Sequence, residues 1–140
     1  MPYRSLAPEA SARLAGLRVL VAEDEPLVSM EMEDVIIEHG AVPVGPFATL
    51  RDLMAAVEAG GYDVAILDVR LGREDSFPAA DRLQREGVPF IFHSGHAERV
   101  DLFGAYPAAA LCKKPCAPER LLEAALSPMD RLRARVGFAN

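Results

Sequence analysis

A doubly wound α/β domain built on a parallel five-stranded sheet is the fold class this chain predicts, on three observations. Five short apolar segments alternate with segments of helical period. Four of the five run into charged or hydroxyl residues, and parallel sheets carry their chemistry just past the carboxyl ends of the strands. The chain has 140 residues, 51% of them hydrophobic, which is enough for one domain with a substantial core.

The elements follow in order. Residues 1–16 hold two prolines and a short Ala-rich segment and read as an N-terminal arm. Arg18 to Ala22 is the first buried strand, and it runs into Glu23-Asp24-Glu25-Pro26. Acidic residues followed by Pro mark a helix start, because carboxylates satisfy free N–H groups and Pro suits the first turn. A helix is predicted from Pro26 to His39, stopped by Gly40, with Val28, Met32, Val35 and His39 as its inward stripe. Met30 and Ile37 fall nearly opposite that stripe. They are either a partner-facing pair or two isolated surface apolar residues.

Val42 to Gly45 is a short second strand, placed at an edge by Pro43. Thr49 caps a helix to about Ala59, with Leu50, Leu53, Met54 and Val57 inward. The third strand, Val64-Ala-Ile-Leu-Asp68, is a continuous apolar run ending in a carboxylate, the pattern of a strand buried on both faces. Taken alone, Asp68 is as readily a loop cap as a functional group. A loop from Gly72 to Ser76 leads to a helix from Phe77 to Glu86. Val88 to Phe92 is a fourth strand ending in His93-Ser94-Gly95-His96, and a short helix follows over Ala97 to Phe103. Ala108 to Cys112 is a fifth strand ending in Lys113-Lys114-Pro115. A last helix starts near Ala117 and includes Leu121, Leu122 and Leu126. Pro128 is read as its end, with residues 128–140 as a basic tail. The core domain is thus 17–127. Right-handed crossovers leave few strand orders. The short, edge-like second strand selects the flavodoxin-like order 2-1-3-4-5, in which the ends of strands one, three, four and five converge.

Composition excludes some functions. The formal net charge of -6 does not suit a nucleic-acid surface, which needs a basic patch. No apolar run reaches the roughly 20 residues of a membrane span, and the N-terminus lacks the apolar segment of a signal peptide. Two cysteines, Cys112 and Cys116, form no disulfide framework, and a reducing cytoplasm is the expected location. With His93 and His96 they do not match zinc-ligand spacing. No Gly-rich phosphate loop follows a strand.

The converging groups are Glu23 and Asp24, Asp68, Ser94, and Lys114 beside Pro115. Carboxylates packed together repel, and burial adds to the cost. Either one takes a proton or a hard divalent cation neutralises them. Mg²⁺ suits the second remedy, taking carboxylate and carbonyl oxygens while keeping waters. Lysine adds a compact positive charge suited to a phosphoryl group, and serine a hydroxyl donor. In that setting Asp68 can act as a nucleophile toward phosphorus, with positioning and charge neutralisation supplying the catalysis.

These residues resemble the response-regulator receiver domain of two-component signalling over about Leu17 to Leu126. The resemblance rests on Glu23-Asp24 after strand one, Asp68 after strand three, Ser94 after strand four and Lys114-Pro115 after strand five, in that order. Asp68-Val69-Arg70-Leu71-Gly72, Ser76-Phe77-Pro78 and Pro89-Phe90-Ile91-Phe92-His93-Ser94-Gly95-His96 look like an alphaproteobacterial subgroup with a Phe-Ala-Thr-Gly-Tyr-like stretch. Its members tend to work with histidine kinases of the HWE or related type. The resemblance implies that Asp68 accepts a phosphoryl group from a phosphohistidine on a sensor kinase or phosphotransferase. It implies Mg²⁺ held by Asp24, Asp68 and the backbone carbonyl of Arg70, with Glu23 acting through water. Lys114, after a cis bond to Pro115, would pair with Asp68 and then with the phosphoryl group, and Ser94 would report the modified state. Arg70 and His96 stand where side chains tune the lifetime of the acyl phosphate.

One departure is Leu111, where many receivers place an aromatic switch. Tyr106 lies too far along the chain to replace it without a different loop. Two other readings stay open: a receiver-like interaction module that is not phosphorylated, and a phosphatase with an Asp nucleophile. The latter would carry a second Asp two positions on, where this chain has Arg70. Fewer than 15 residues follow Leu126, so the expectation is a single-domain regulator. Its output would be an unknown downstream protein or onward phosphorelay, and a homodimer is possible in principle.

Overall fold

The computed structural model describes residues 12–95, 105–106 and 109–135, with side chains through Leu126. The strands are β1 (Arg18–Ala22), β2 (Val42–Phe47), β3 (Val64–Asp68), β4 (Arg70–Leu71), β5 (Glu74–Asp75), β6 (Phe90–Ser94) and β7 (Ala110–Lys113). The helices are α1 (Pro26–Glu38), α2 (Leu50–Ala59), α3 (Phe77–Arg85) and α4 (Pro118–Arg135). The main sheet has the order β2-β1-β3-β6-β7 with every pairing parallel. In sequential terms this is the expected flavodoxin-like order.

Alternation along the strands divides the core in two. Val19, Val21, Val64, Ile66 and Ile91 face α1 and α4, meeting Met32, Val35, Ile36, Leu121, Leu122 and Leu126. Leu20, Ala22, Ala65, Leu67, Phe90 and Phe92 face α2 and α3, meeting Leu53, Val57, Ala79, Ala80 and Leu83. Both faces of β1, β3 and β6 are therefore covered, which is why those strands read as unbroken apolar runs. Leu14 belongs to the first cluster, and the Gly16 N–H donates to the Gly40 carbonyl at 2.7 Å. The last described residues of the arm thus pack on the domain.

The structure moves several predicted boundaries. β2 continues past Gly45 to Phe47, through a cis Gly45–Pro46 bond. Gly45 has φ +108°, and a Cβ there would stand 2.9 Å from both the Val21 carbonyl oxygen and the Phe47 ring, so this close approach of β2 to β1 requires glycine. The expected loop after β3 contains a short antiparallel pair, β4 with β5. β6 runs two residues further than expected because His93 and Ser94 stay in register with Asp68 and Lys113 on the flanking strands. On α1 the buried residues are Ser29, Met32, Val35 and Ile36, while Val28 and His39 lie on the flank. Pro128 does not end the last helix, which continues to Arg135. A proline forfeits one backbone bond inside a helix, and the turns on either side carry the element past it. Thr49 caps α2 as expected, accepting from the Asp52 N–H at 3.1 Å. The helix expected over 97–103 lies outside the described residues, as does His96.

Candidate functional site

Four strand ends assemble the site, and the sheet register decides which side chains meet. Ala22 pairs with Leu67, so Glu23 follows at the level of Asp68. Asp68 pairs with His93, and His93 pairs with Cys112. Glu23, Asp68, His93 and Cys112 therefore form a row on the α1/α4 face of neighbouring strands, all of them buried.

Glu23, Asp24, Asp68 and Lys114 of the expected constellation meet. Glu23, Asp24 and Asp68 each offer a carboxylate oxygen, and these atoms lie within 4.8 Å of one another. The Lys114 ammonium donates to Asp68 Oδ2 at 2.8 Å and stands 3.7 Å from Glu25. The Lys114–Pro115 bond is cis, and the Lys114 N–H donates to the Ser94 carbonyl at 2.7 Å, fixing β7 against the end of β6. Ser94 is fully buried, and its hydroxyl donates to the Gly95 carbonyl. Backbone donors organise the acids. Asp24 accepts from the Gly72 N–H at 2.7 Å, Asp68 from the Arg70 N–H at 3.3 Å, and Glu23 from the Glu25 N–H at 3.2 Å.

Electrostatics split the two buried acids. Burial pushes the Asp68 carboxyl up to about 7; the Lys114 hydrogen bond opposes this and the Glu23 charge adds to it. Burial works against Glu23 too, but His93, Asp68 and the Glu25 N–H hold its carboxyl below the usual value. Without a cation, Asp68 is the acid that burial pushes toward protonation, and Glu23 is the one that its partners favour in the charged form. Burial also opposes the Lys114 ammonium, yet its bond to Asp68 and the surrounding acids hold its pKa above the ordinary lysine value. Hard oxygen donors this close, with one acid forced toward protonation, are a donor set that fits Mg²⁺. Glu23, Asp24 and Asp68 each bring an oxygen within reach of one such ion.

Two residues of the site were missed by sequence reasoning. His93 is 4% exposed, its Nδ1 3.8 Å from Glu23 Oε1, and its Nε2 has no hydrogen-bond partner among the described residues. A fourth strand ended at Phe92 hid it, since only the longer strand turns His93 inward. Glu25, expected only as part of a helix start, is the second acid facing Lys114. The aromatic arrangement also differs from the expectation. Leu111 packs partly buried against the second core cluster. Tyr106 is 6% exposed and touches Phe77, Phe90 and Phe92. Its hydroxyl donates to Asp81 on α3, so a tyrosine does stand behind β6 although it is five residues from Leu111 in the chain.

Beside the pocket, α1 exposes Leu27 (81%), Met30 (58%) and Ile37 (57%). Spacing of three and seven residues puts them along one side of the helix. Leu27, the most exposed of the three, lies in the proline-led first turn. Arg70 is exposed on β4. Among the described residues, no helix is long and apolar enough to cross a membrane.

Comparison with known proteins agrees with this geometry. The family model described as response regulator receiver domain matches residues 19–126. The chain is 39% identical over 79 residues to the transcriptional regulatory protein TcrA of Mycobacterium tuberculosis, covering 56% of this chain and 31% of TcrA. It thus spans about a third of that relative. Among solved structures it resembles SdrG from Sphingomonas melonis, with TM-score 0.70 and 34% identity over 81% of this chain and 97% of SdrG. It also resembles the receiver domain of PhyR from Erythrobacter litoralis, with TM-score 0.70 and 28% identity over 84% of this chain and 93% of that one.

Proposed function

The chain belongs to the response regulator receiver domain family, and from that premise we propose that Asp68 is its phosphoacceptor. An Asp68 carboxylate oxygen attacks the phosphorus of a phosphohistidine, the P–N bond breaks, and the electron pair leaves on the donor imidazole. The bound cation would neutralise charge on the carboxylates and the transferring phosphoryl oxygens. Asp24 and Asp68, with the Arg70 carbonyl and Glu23 through water, would hold it. Lys114 balances the Asp68 charge before transfer and then turns to the phosphoryl group. Ser94 exchanges the Gly95 carbonyl for a phosphoryl oxygen, and that exchange reports the modified state. The observation that carries the reading is the 2.8 Å Lys114–Asp68 contact beside three converging carboxylates.

The donor in this proposal is a sensor histidine kinase, HWE-like or related, or a histidine phosphotransferase. It docks on α1 through Leu27, Met30 and Ile37, next to the pocket mouth. Its output in this proposal is protein contact or onward phosphorelay. Replacing Met30 and Ile37 by Glu is expected to slow transfer from a phosphohistidine donor by about tenfold or more, since charge in an apolar docking patch costs on the order of 1–2 kcal/mol. Labelling by acetyl phosphate should be unchanged. Parallel time courses with the two donors check this, and equal loss with both would refute the docking assignment.

Arg70 and His96 are proposed to tune the lifetime of the acyl phosphate by controlling water near it. The double substitution to Ala is expected to change the dephosphorylation half-life severalfold, read as loss of the phosphorylated mass over time. An unchanged half-life would remove both residues from that role. Incubation with acetyl phosphate and Mg²⁺ followed by intact mass tests the function as a whole: a receiver gains one phosphoryl group stoichiometrically, whereas a phosphatase would turn the donor over.

A further inference from the structure

His93 takes no part in the chemistry above, yet it is buried beside the acids that do. It is the register partner of Asp68, so its side chain comes from the next strand at the level of the pocket. Its Nδ1 stands 3.8 Å from Glu23 Oε1, and both side chains are almost fully buried. Among the described residues, Glu23 Oε2 accepts from the Glu25 N–H at 3.2 Å, and the Lys114 ammonium is engaged with Asp68 and Glu25, which leaves Oε1 to the imidazole. On its other edge the ring is enclosed, and Nε2 meets no hydrogen-bond partner among the described residues. These two surroundings select a tautomer. A neutral imidazole carries its proton on one nitrogen and a lone pair on the other. With the proton on Nε2, a buried donor would go unmet and a lone pair would face a carboxylate. With the proton on Nδ1, the donor faces the anion, and only an unused lone pair is buried at Nε2.

We propose that His93 is a positioning residue for the cation site: a neutral imidazole whose Nδ1–H faces Glu23 Oε1 and, with the Glu25 N–H on Oε2, holds that carboxylate oriented and charged. The separation is about 1 Å longer than a hydrogen bond, a gap that a small rotation of either side chain closes. In a buried site of low dielectric, a donor aimed at an anion counts for more than in water. Burial opposes the charge on Glu23, and His93 is foremost among the groups that hold its carboxyl below the usual value. The proposal rests on the reading of Glu23, Asp24 and Asp68 as a Mg²⁺ site, since their oxygens converge there. Groups that hydrogen-bond to a ligating side chain set its orientation and charge, and with them the affinity for the metal. Strand pairing fixes the imidazole for this task, because β6 cannot shift relative to β3 without moving His93 away from Asp68 and Glu23 together.

The test measures the Mg²⁺ affinity of the full chain by titration calorimetry for wild type, His93→Asn, His93→Gln and His93→Leu. An Asn amide nitrogen stands as far from the backbone as Nδ1, and a Gln amide nitrogen as far as Nε2. His93→Asn is therefore expected to bind Mg²⁺ within about threefold of wild type, with His93→Gln and His93→Leu roughly tenfold weaker or more, the usual cost of losing a partner to a ligating group. Labelling by acetyl phosphate should divide the same way: slower in the Gln and Leu variants at limiting Mg²⁺, and restored at saturating Mg²⁺. Variants that all bind like wild type, or His93→Asn binding no tighter than His93→Gln, overturn the role, because filling the space or acting through Nε2 would give those patterns. Should His93→Leu fail to fold, the Asn and Gln pair decides. In a second arm, nitrogen–proton correlation NMR of the metal-free wild type reads the tautomer. A proton on Nδ1 and a bare Nε2 are expected, and a proton on Nε2 overturns the assignment. Wild type that binds no Mg²⁺ overturns the cation reading instead, while the tautomer still decides whether His93 presents a donor to Glu23.

Discussion

Asp68→Asn is expected to reduce labelling by acetyl phosphate and Mg²⁺ to background. The amide keeps the shape of the carboxylate but has no anionic oxygen to attack phosphorus. It also removes one of the carboxylates that converge within 4.8 Å. The fold should survive, since Asp68 lies at the end of β3, outside both hydrophobic core clusters. Lys114→Ala forms an instructive contrast. It leaves the nucleophile and the acids in place but removes the positive charge 2.8 Å from Asp68, so labelling should continue about 10²–10³-fold more slowly, the usual loss for one preorganised charge partner. Omitting Mg²⁺ should abolish labelling of the wild type. Intact mass after a fixed incubation distinguishes all three. Labelling of Asp68→Asn at the wild-type rate would mean another residue is the acceptor.

The second large effect is on stability. Asp68 is pushed up to about 7 in the folded protein from 3.8, so the folded state holds a proton that the unfolded chain gives up. An acid whose pKa rises on folding contributes stability that is complete below its unfolded value and is lost as pH climbs through its folded one. Metal-free protein should therefore weaken between about pH 4 and pH 7. Glu23 is held below 4.5 and acts with the opposite sign, but only as pH falls below that value, outside this window. At about 1.4 kcal/mol per unit, reduced by the partners that Asp68 shares, the loss is on the order of 2–4 kcal/mol. Thermal unfolding in chelator should show Asp68→Asn melting about 10 °C above the wild type at pH 8, with the gap closing near pH 4. Mg²⁺ at about 100 times its dissociation constant should return roughly 2.7 kcal/mol to the wild type at pH 8 and much less to the variant. A gap that does not change with pH would show that the buried acids do not share their charge in this way.

The fold was legible because its central strands are covered on both faces. Val64-Ala-Ile-Leu-Asp68 and Arg18-Val-Leu-Val-Ala have no alternation to misread, and they pair as expected. Glycines and prolines marked most helix ends, and Thr49 caps where it was expected. Errors arose where tertiary contacts outweigh local signals. His93 and Ser94 look like loop residues, but pairing with Asp68 and Lys113 keeps them in β6. Pro128 looks like a stop, but α4 continues through it. The convergence of Glu23, Asp24, Asp68 and Lys114 was readable because strand order alone brings their strand ends together. Neighbours across strands were not readable, because register places them. Glu25 beside Lys114, His93 beside Glu23, and Tyr106 behind Phe92 each depend on a pairing or a loop path that no local pattern encodes.

Borohydride trapping tests the central claim most directly. The wild-type chain is incubated with acetyl phosphate and Mg²⁺, the acyl phosphate is reduced in place, and the peptides are sequenced by mass spectrometry. An aspartyl phosphate becomes homoserine at the residue that carried it. Homoserine at position 68 alone, formed only when Mg²⁺ is present, is the predicted result. Homoserine at position 24, a reduced side chain at position 23, or a phosphoryl group that borohydride cannot reduce would contradict it.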